Sequence, residues 1–109
     1  MSQSQEQEKE GGGVGLAEAP SRPELKKPPQ FKVLLLNDDY TPMDYVVHVL
    51  ERFFRMGEDE AVHVMLAIHH QGKGVCGLFT KEVAETKVMQ VNQDARQHGH
   101  PLKSIMEPA

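Results

Sequence analysis

Phe31-Lys32-Val33-Leu34-Leu35-Leu36-Asn37-Asp38-Asp39-Tyr40-Thr41-Pro42-Met43 is the stretch that decides the fold. Its first half is an apolar run with β-branched and aromatic members, which predicts a strand buried on at least one face. Its second half crowds three hydrogen-bonding side chains against the end of that strand. Thr41 then reads as a helix N-cap, Pro42 as the first helical residue and Asp44 as the acid three places after the cap. Side chains alternate along a strand, so Asn37 and Asp39 point one way and Asp38 the other if the extended geometry persists. An amide oxygen beside a carboxylate, with apolar residues following, suits a small cation that carries several N–H donors. A free α-amino group is such a cation, mostly protonated at neutral pH.

Downstream of this stretch, Met43, Val46, Val47, Leu50, Phe53 and Phe54 recur at steps of three and four. They predict a first helix with these residues toward a core and Asp44, His48, Glu51, Arg52 and Arg55 toward water. Gly57 breaks that run. Glu58-Asp59-Glu60 puts negative charge at the start of a second helix, where the helix dipole favours it. Ala61, Met65, Ile68 and His69 share one side of this helix, beside Val62 and Leu66, and it stops at Gly72. Val75 to Phe79 predicts a short strand, with Gly74 and Gly77 marking close packing or a bulge. Thr80 caps a third helix along Ala84, Val88, Val91 and Ala95, ending near Gly99 before Pro101. Leu102 to Met106 supplies a last strand with Leu102, Ser104 and Met106 on one face. The order β-α-α-β-α-β with two adjacent helices predicts an α+β fold, a small antiparallel three-stranded sheet packed with three helices.

Composition bounds the rest. A chain of 109 residues has room for one modest core. Twelve basic against sixteen acidic residues give a net charge of −4 with no Lys/Arg block. That argues against nucleic acid or an anionic membrane as the main partner. No apolar run is long enough to span a bilayer, and the N-terminus lacks the blocks of a secretory signal. The single cysteine, Cys76, cannot form an internal disulfide, which fits a reducing, cytoplasmic setting. Residues 1–30 hold no aromatics, a Gly11-Gly12-Gly13 run and Pro20, Pro23, Pro28 and Pro29. Such a segment cannot offset its ordering entropy and is expected to be a disordered tail, leaving residues 31–109 as the folded unit.

Taken alone, Asn37-Asp38-Asp39 at a strand end is more often turn chemistry than a binding site. His69 changes the weighing. On the inward-leaning side of the second helix a lone histidine is usually a satisfied core residue. A neutral imidazole is also an acceptor, however, and with Asn37 and Asp39 it completes a set of three for an ammonium. Whether the three converge is decided by tertiary structure. Met43 with Val46, and Met65 with Ile68, form two pairs one turn apart that line an adaptable apolar slot or simply fill the core. Six histidines include His69-His70 and His98-Gly99-His100, but no helical pair stands four apart and no second cysteine exists, so no metal site is expected. Cys76 lies mid-strand as a small core residue rather than a nucleophile. A binding module therefore outranks an enzyme. Two other readings stand beside it: a factor-binding domain like that of the ribosomal stalk, and a metal-assisted hydrolase on Asp38, Asp39 and His69.

Several long runs resemble one family. They are the stretch from Phe31 to Met43, then Met65-Leu66-Ala67-Ile68-His69-His70-Gln71-Gly72, then Val75-Cys76-Gly77-Leu78-Phe79-Thr80-Lys81-Glu82-Val83-Ala84-Glu85-Thr86-Lys87-Val88, and finally His100-Pro101-Leu102. In this order they closely resemble ClpS, the bacterial adaptor that delivers N-end-rule substrates to the ClpA unfoldase and the ClpP protease. The resemblance implies that Asn37, Asp39 and His69 contact a substrate α-amino group, with Asp38 and Thr41 supporting them or the substrate backbone. It implies a pocket wall of Met43, Val46, Met65, Ile68 and Leu102 for a first side chain of Leu, Phe, Tyr or Trp. Met43 would be the gate against β-branched residues, and Ile68 stands where relatives commonly carry valine. Glu82 and Lys87 resemble positions that dock the N-terminal domain of a ClpA-type AAA+ unfoldase. The resemblance further implies a monomeric, cofactor-free, non-catalytic partner of N-degron peptides and proteins.

Overall fold

A computed structural model describes residues 28–109. The chain runs β1 (Gln30–Leu36), α1 (Met43–Phe54), α2 (Glu58–Gln71), β2 (Lys73–Thr80), α3 (Lys81–Gln97) and β3 (Lys103–Pro108), the order expected from the pattern. β1 is the central strand of a three-stranded sheet ordered β2-β1-β3, antiparallel on both sides. A centre strand must be the most apolar, and Val33, Leu34 and Leu35 are all buried. Leu35 joins the main core with Val49, Leu50, Ile68 and Val91 from the three helices.

The expected disordered segment falls, for residues 1–27, outside the described residues. Its boundary shifts by one place: Gln30 already belongs to β1, where it pairs with Thr80 and its carbonyl accepts the Ala109 N–H at 2.9 Å. In β2 the register slips between Val33 and Leu34, so Cys76 is the extra residue of a bulge beside Gly77. Cys76 is buried, and burial pushes its thiol up to about 12, consistent with a core residue. Gly74 packs so closely on α2 that an added Cβ would lie 2.6 Å from Cγ1 of Ile68.

Three local expectations are corrected. Thr41 does not cap α1: the helix starts at Met43 with Pro42 in the cap position, and the Pro42 carbonyl accepts the N–H groups of Tyr45 and Val46. Gly57 does not end α1 either. Arg55 does, in the left-handed region at φ 58, while Gly57 opens α2. The buried side of α1 keeps the expected Val46 and Leu50 but is wider, taking in Tyr45 and Val49 and leaving Met43 46% exposed. The cause lies on α3, where Asp94 accepts the Tyr45 hydroxyl and draws that flank inward. On α3 the expected line holds, with Ala84, Val91 and Ala95 buried and Val88 half-buried.

Candidate functional site

Two connections place the site. β1 ends at Leu36, and the next N–H, of Asn37, donates to the Gly72 carbonyl at 2.9 Å. Gly72 terminates α2 in the left-handed region, φ 89, with its own N–H on the Ile68 carbonyl. The end of the central strand and the last turn of α2 are thereby joined.

Between β1 and α1 the chain turns around one carboxylate. Oδ1 of Asp38 accepts the N–H groups of Tyr40 and Thr41 at 2.8 and 2.7 Å, and Oδ2 accepts the Thr41 hydroxyl at 2.8 Å. Burial alone would raise the Asp38 pKa. The hydrogen bonds from Thr41 and Tyr40, with a smaller contribution from the charge of His100, outweigh it and hold the group below its ordinary value. Asp38 is therefore the organiser of the turn, and Thr41 is its partner rather than a helix cap.

The turn closes one side of a cavity of about 180 Å³. Asn37, Asp38, Asp39 and Thr41 line its polar side, with His69 across from the end of α2. Met43 and Val46 of α1 and Met65 and Ile68 of α2 line the rest. An enclosed space of about 150 Å³ already takes a benzene ring, whereas a drug- or cofactor-sized ligand needs about 300 Å³ or more. The cavity fits one large side chain. Asn37, Asp39 and His69 are exposed at its mouth, and among the described residues their side chains have no hydrogen-bond partner. Nine of the ten residues expected around the α-amino group and the first side chain thus converge.

Three expected positions turn out differently. His69 is exposed rather than leaning into the core, because it follows buried Ile68 by one residue, about 100° around the helix. Leu102 is buried among core residues and does not line the cavity. The last pair divides. Glu82 is exposed, beside a separate hollow of about 560 Å³ that Pro28, Pro29, Phe31 and Lys81 also line. Lys87 is instead engaged within the fold: Nζ donates to the Phe53 carbonyl at 2.6 Å and lies 6.0 and 5.9 Å from the ring centroids of Phe54 and Phe79.

The sequence reading missed one polar cluster. Tyr45 is ringed by His48, His98 and His100 at centroid distances of 6.1, 5.4 and 4.5 Å. Its hydroxyl is held by Asp94, which also meets Arg52 at 3.7 Å and His98 at 3.5 Å. Burial, then the Asp94 carboxylate, raises the Tyr45 pKa well above its usual value. No periodic signal links residues so far apart in the chain. Among the described residues no three His, Cys, Asp or Glu side chains form a metal-holding group, and no helix is long and apolar enough to cross a membrane.

The family model of the ATP-dependent Clp protease adaptor protein ClpS matches residues 26–105. The chain belongs to the ClpS family. An ATP-dependent Clp protease adapter protein ClpS of Methylococcus capsulatus is 59% identical over 99 residues, covering 91% of this chain and 93% of that protein. The ClpS of Rhodospirillum centenum is 54% identical over 107 residues, 98% of each chain. Among solved structures, Agrobacterium tumefaciens ClpS2 bound to L-phenylalaninamide superposes with a TM-score of 0.74 at 40% identity, covering 76% of this chain and all of that one. The ClpS family and its fold thereby take the place of the ribosomal-stalk-like alternative. Asp38, which the hydrolase alternative needs as a metal ligand, has three of its four acceptor positions taken by the turn.

Proposed function

We propose that this chain is a protease adaptor that binds the free N-terminal residue of N-degron substrates and delivers them to a ClpA-type unfoldase of the ClpAP protease. The observation that carries this reading is the pairing of acceptors and apolar wall in one small cavity. Asn37, Asp39 and His69 stand at its mouth with acceptor atoms for an ammonium, and Met43, Val46, Met65 and Ile68 form an apolar recess behind them. The ligand of the Agrobacterium ClpS2 structure, L-phenylalaninamide, has both features this arrangement selects: a free α-amine and one large apolar side chain. Leu, Phe, Tyr and Trp are the first residues that fit that description.

Magnitudes agree with an adaptor that must also release its cargo. Burying a Leu or Phe side chain contributes about 1.5–3 kcal/mol, and each charge-assisted hydrogen bond about 1.5–3. The gross sum of about 6–12 kcal/mol, less an association cost of at least about 4, leaves about −8 kcal/mol as the upper limit, so micromolar or weaker binding is expected. Relatives carry the name of adaptors, and we read this chain as a non-catalytic, monomeric, cytoplasmic protein. Glu82, exposed at the start of α3, is the stronger candidate for contact with the unfoldase, because Lys87 already satisfies its ammonium inside the fold.

The deciding experiment is a titration of matched Phe-peptides with free and acetylated N-termini. Acetylation removes the charge and leaves Asp39 facing a group that cannot replace it, so most of the binding should be lost. Equal affinities for the two peptides would sink the proposal.

A further inference from the structure

The solvent flank of α2 carries two aliphatic side chains where a surface helix ordinarily shows polar ones. Val62 is 37% exposed and Leu66 41% exposed. With His69 they stand at steps of four and three residues, which is one flank of a helix. Since His69 lines the cavity, this stripe leads away from its mouth. At 1.5 Å rise per residue, Leu66 lies about 4.5 Å and Val62 about 10.5 Å below His69 along the helix axis. α1 repeats the arrangement. Met43 lines the cavity, and Val47, one turn on, is half-buried against the core. Only Arg55, Met56 and Gly57 join the two helices, the short link of antiparallel neighbours. In the next turn from the cavity-lining residues, half-buried Val47 on α1 and exposed Leu66 on α2 are both apolar, an apolar shelf leading from the cavity.

We infer that this shelf is a second subsite, and that it receives the side chain of the third residue of a peptide whose first residue fills the cavity. The inference rests on the reading of the cavity given above. In an extended peptide the first and third side chains share a face and stand about 7 Å apart. Val62 stands about 4.5 and 9 Å along the axis from the cavity-lining Met65 and Ile68, so that reach ends beside it. The chemistry of the occupant follows from the border. Exposed Asp44 and Glu51 bracket Val47, one turn to either side, and exposed Glu58 lies one turn before Val62. An apolar floor edged with carboxylates suits an apolar side chain on a neutral or basic peptide. It does not suit a second copy of this chain, whose net charge is −4, because a two-fold contact would set the same carboxylates against one another.

The test compares two free-amine peptides, Phe-Ser-Leu and Phe-Ser-Ser with identical extensions, on the wild-type chain and on a Val62→Ser, Leu66→Ser double variant. Both positions are exposed, so the variant should fold. Wild type should favour leucine at the third position by about fivefold, the effect of removing part of one aliphatic side chain from water. The double variant should bind the two peptides equally, with its affinity for Phe-Ser-Ser unchanged. An undiminished preference in the variant, or none in wild type, overturns the inference. So does sedimentation showing a wild-type dimer that the double substitution dissolves. An acetylated control separates the two levels: if it binds like the free amine, the cavity reading itself fails, whereas free-amine dependence without third-residue preference sinks the shelf alone.

Discussion

The N–H of Asn37 donates to the carbonyl of Gly72 at 2.9 Å, so the strand end beside Asn37 and Asp39 and the helix end that carries His69 share one backbone bond. Gly72 holds that carbonyl in place from a φ of 89, a conformation that side-chain-bearing residues adopt at a cost of about 1–2 kcal/mol. A methyl group at Gly72 would meet nothing within 4 Å, so the penalty is conformational rather than steric. Gly72→Ala should therefore lower the urea stability by about that amount. It should also weaken free-amine peptides by more than it changes any residual binding of acetylated ones. Unchanged stability would mean that the helix end relaxes freely and does not hold the site.

Asp38 makes a prediction with a definite pH sense. Its folded pKa is depressed, so the stability it contributes is present above its unfolded pKa, about 3.9, and is lost as pH falls through the lower folded value. Asp38→Ala removes all three acceptor contacts of the turn and should cost about 1 kcal/mol near neutral pH, comparable to losing a helix cap. The gap between wild type and variant should close as the solution is acidified below pH 4. Denaturant midpoints of both proteins from pH 7 down to pH 2.5 measure it. A gap that stays constant across that range would show that the carboxylate charge plays no part.

Much of this was legible in local sequence, and the boundary of legibility is physical. The six elements could be ordered from pattern, because the unbroken apolar run of β1 reports a buried strand and the spacing of Ala84, Val91 and Ala95 reports a buried helix face. Gly74 and Gly77 flagged tight packing and a bulge, since a residue without a side chain in a strand needs a reason. Thr41 and Gly57 were misread locally, whereas other errors came from partners distant in the chain. Tyr45 belongs to neither expected face of the first helix, and its hydroxyl is taken by Asp94, 49 residues away. Lys87 reads as a solvated helix face until the Phe53 carbonyl captures it from the end of α1. Leu102 stands at the start of the last strand by pattern and one residue before it in the fold, and nothing local distinguishes a core neighbour from a pocket wall. His69 was placed on the inward side with Ile68, but it stands about 100° further around the helix.

Met43 is 46% exposed at the cavity edge, which makes it a removable wall rather than a core residue. Met43→Ala should leave stability nearly unchanged while widening the slot. Peptides beginning with Ile or Val, which branch at Cβ and crowd the mouth, should then gain about 1–3 kcal/mol relative to those beginning with Leu. Competition binding with the three peptides on wild type and variant gives the ratio directly. Continued rejection of both branched residues would move the gate elsewhere.

Glu82 and Lys87 share α3 but should fail in different ways. Lys87 donates to the Phe53 carbonyl in the last turn of α1, next to Arg55 in its left-handed conformation, and lies within 6.0 Å of the centroids of Phe54 and Phe79. Lys87→Ala strips a charge-assisted bond and two ring contacts from the α1–α3 junction and should cost about 1–2 kcal/mol of stability. Glu82 is exposed, and among the described residues it has no side-chain ion pair. Glu82→Ala should leave the denaturation midpoint unchanged yet weaken binding to the isolated N-terminal domain of a ClpA-type unfoldase. Peptide affinity should survive both substitutions, because neither residue lines the cavity. If Lys87→Ala weakens the unfoldase complex at full stability, its ammonium must leave Phe53 on docking, and the clamp is then part of the interface. Should Glu82→Ala lower stability instead, α3 would be bracing the fold at that end rather than presenting a surface.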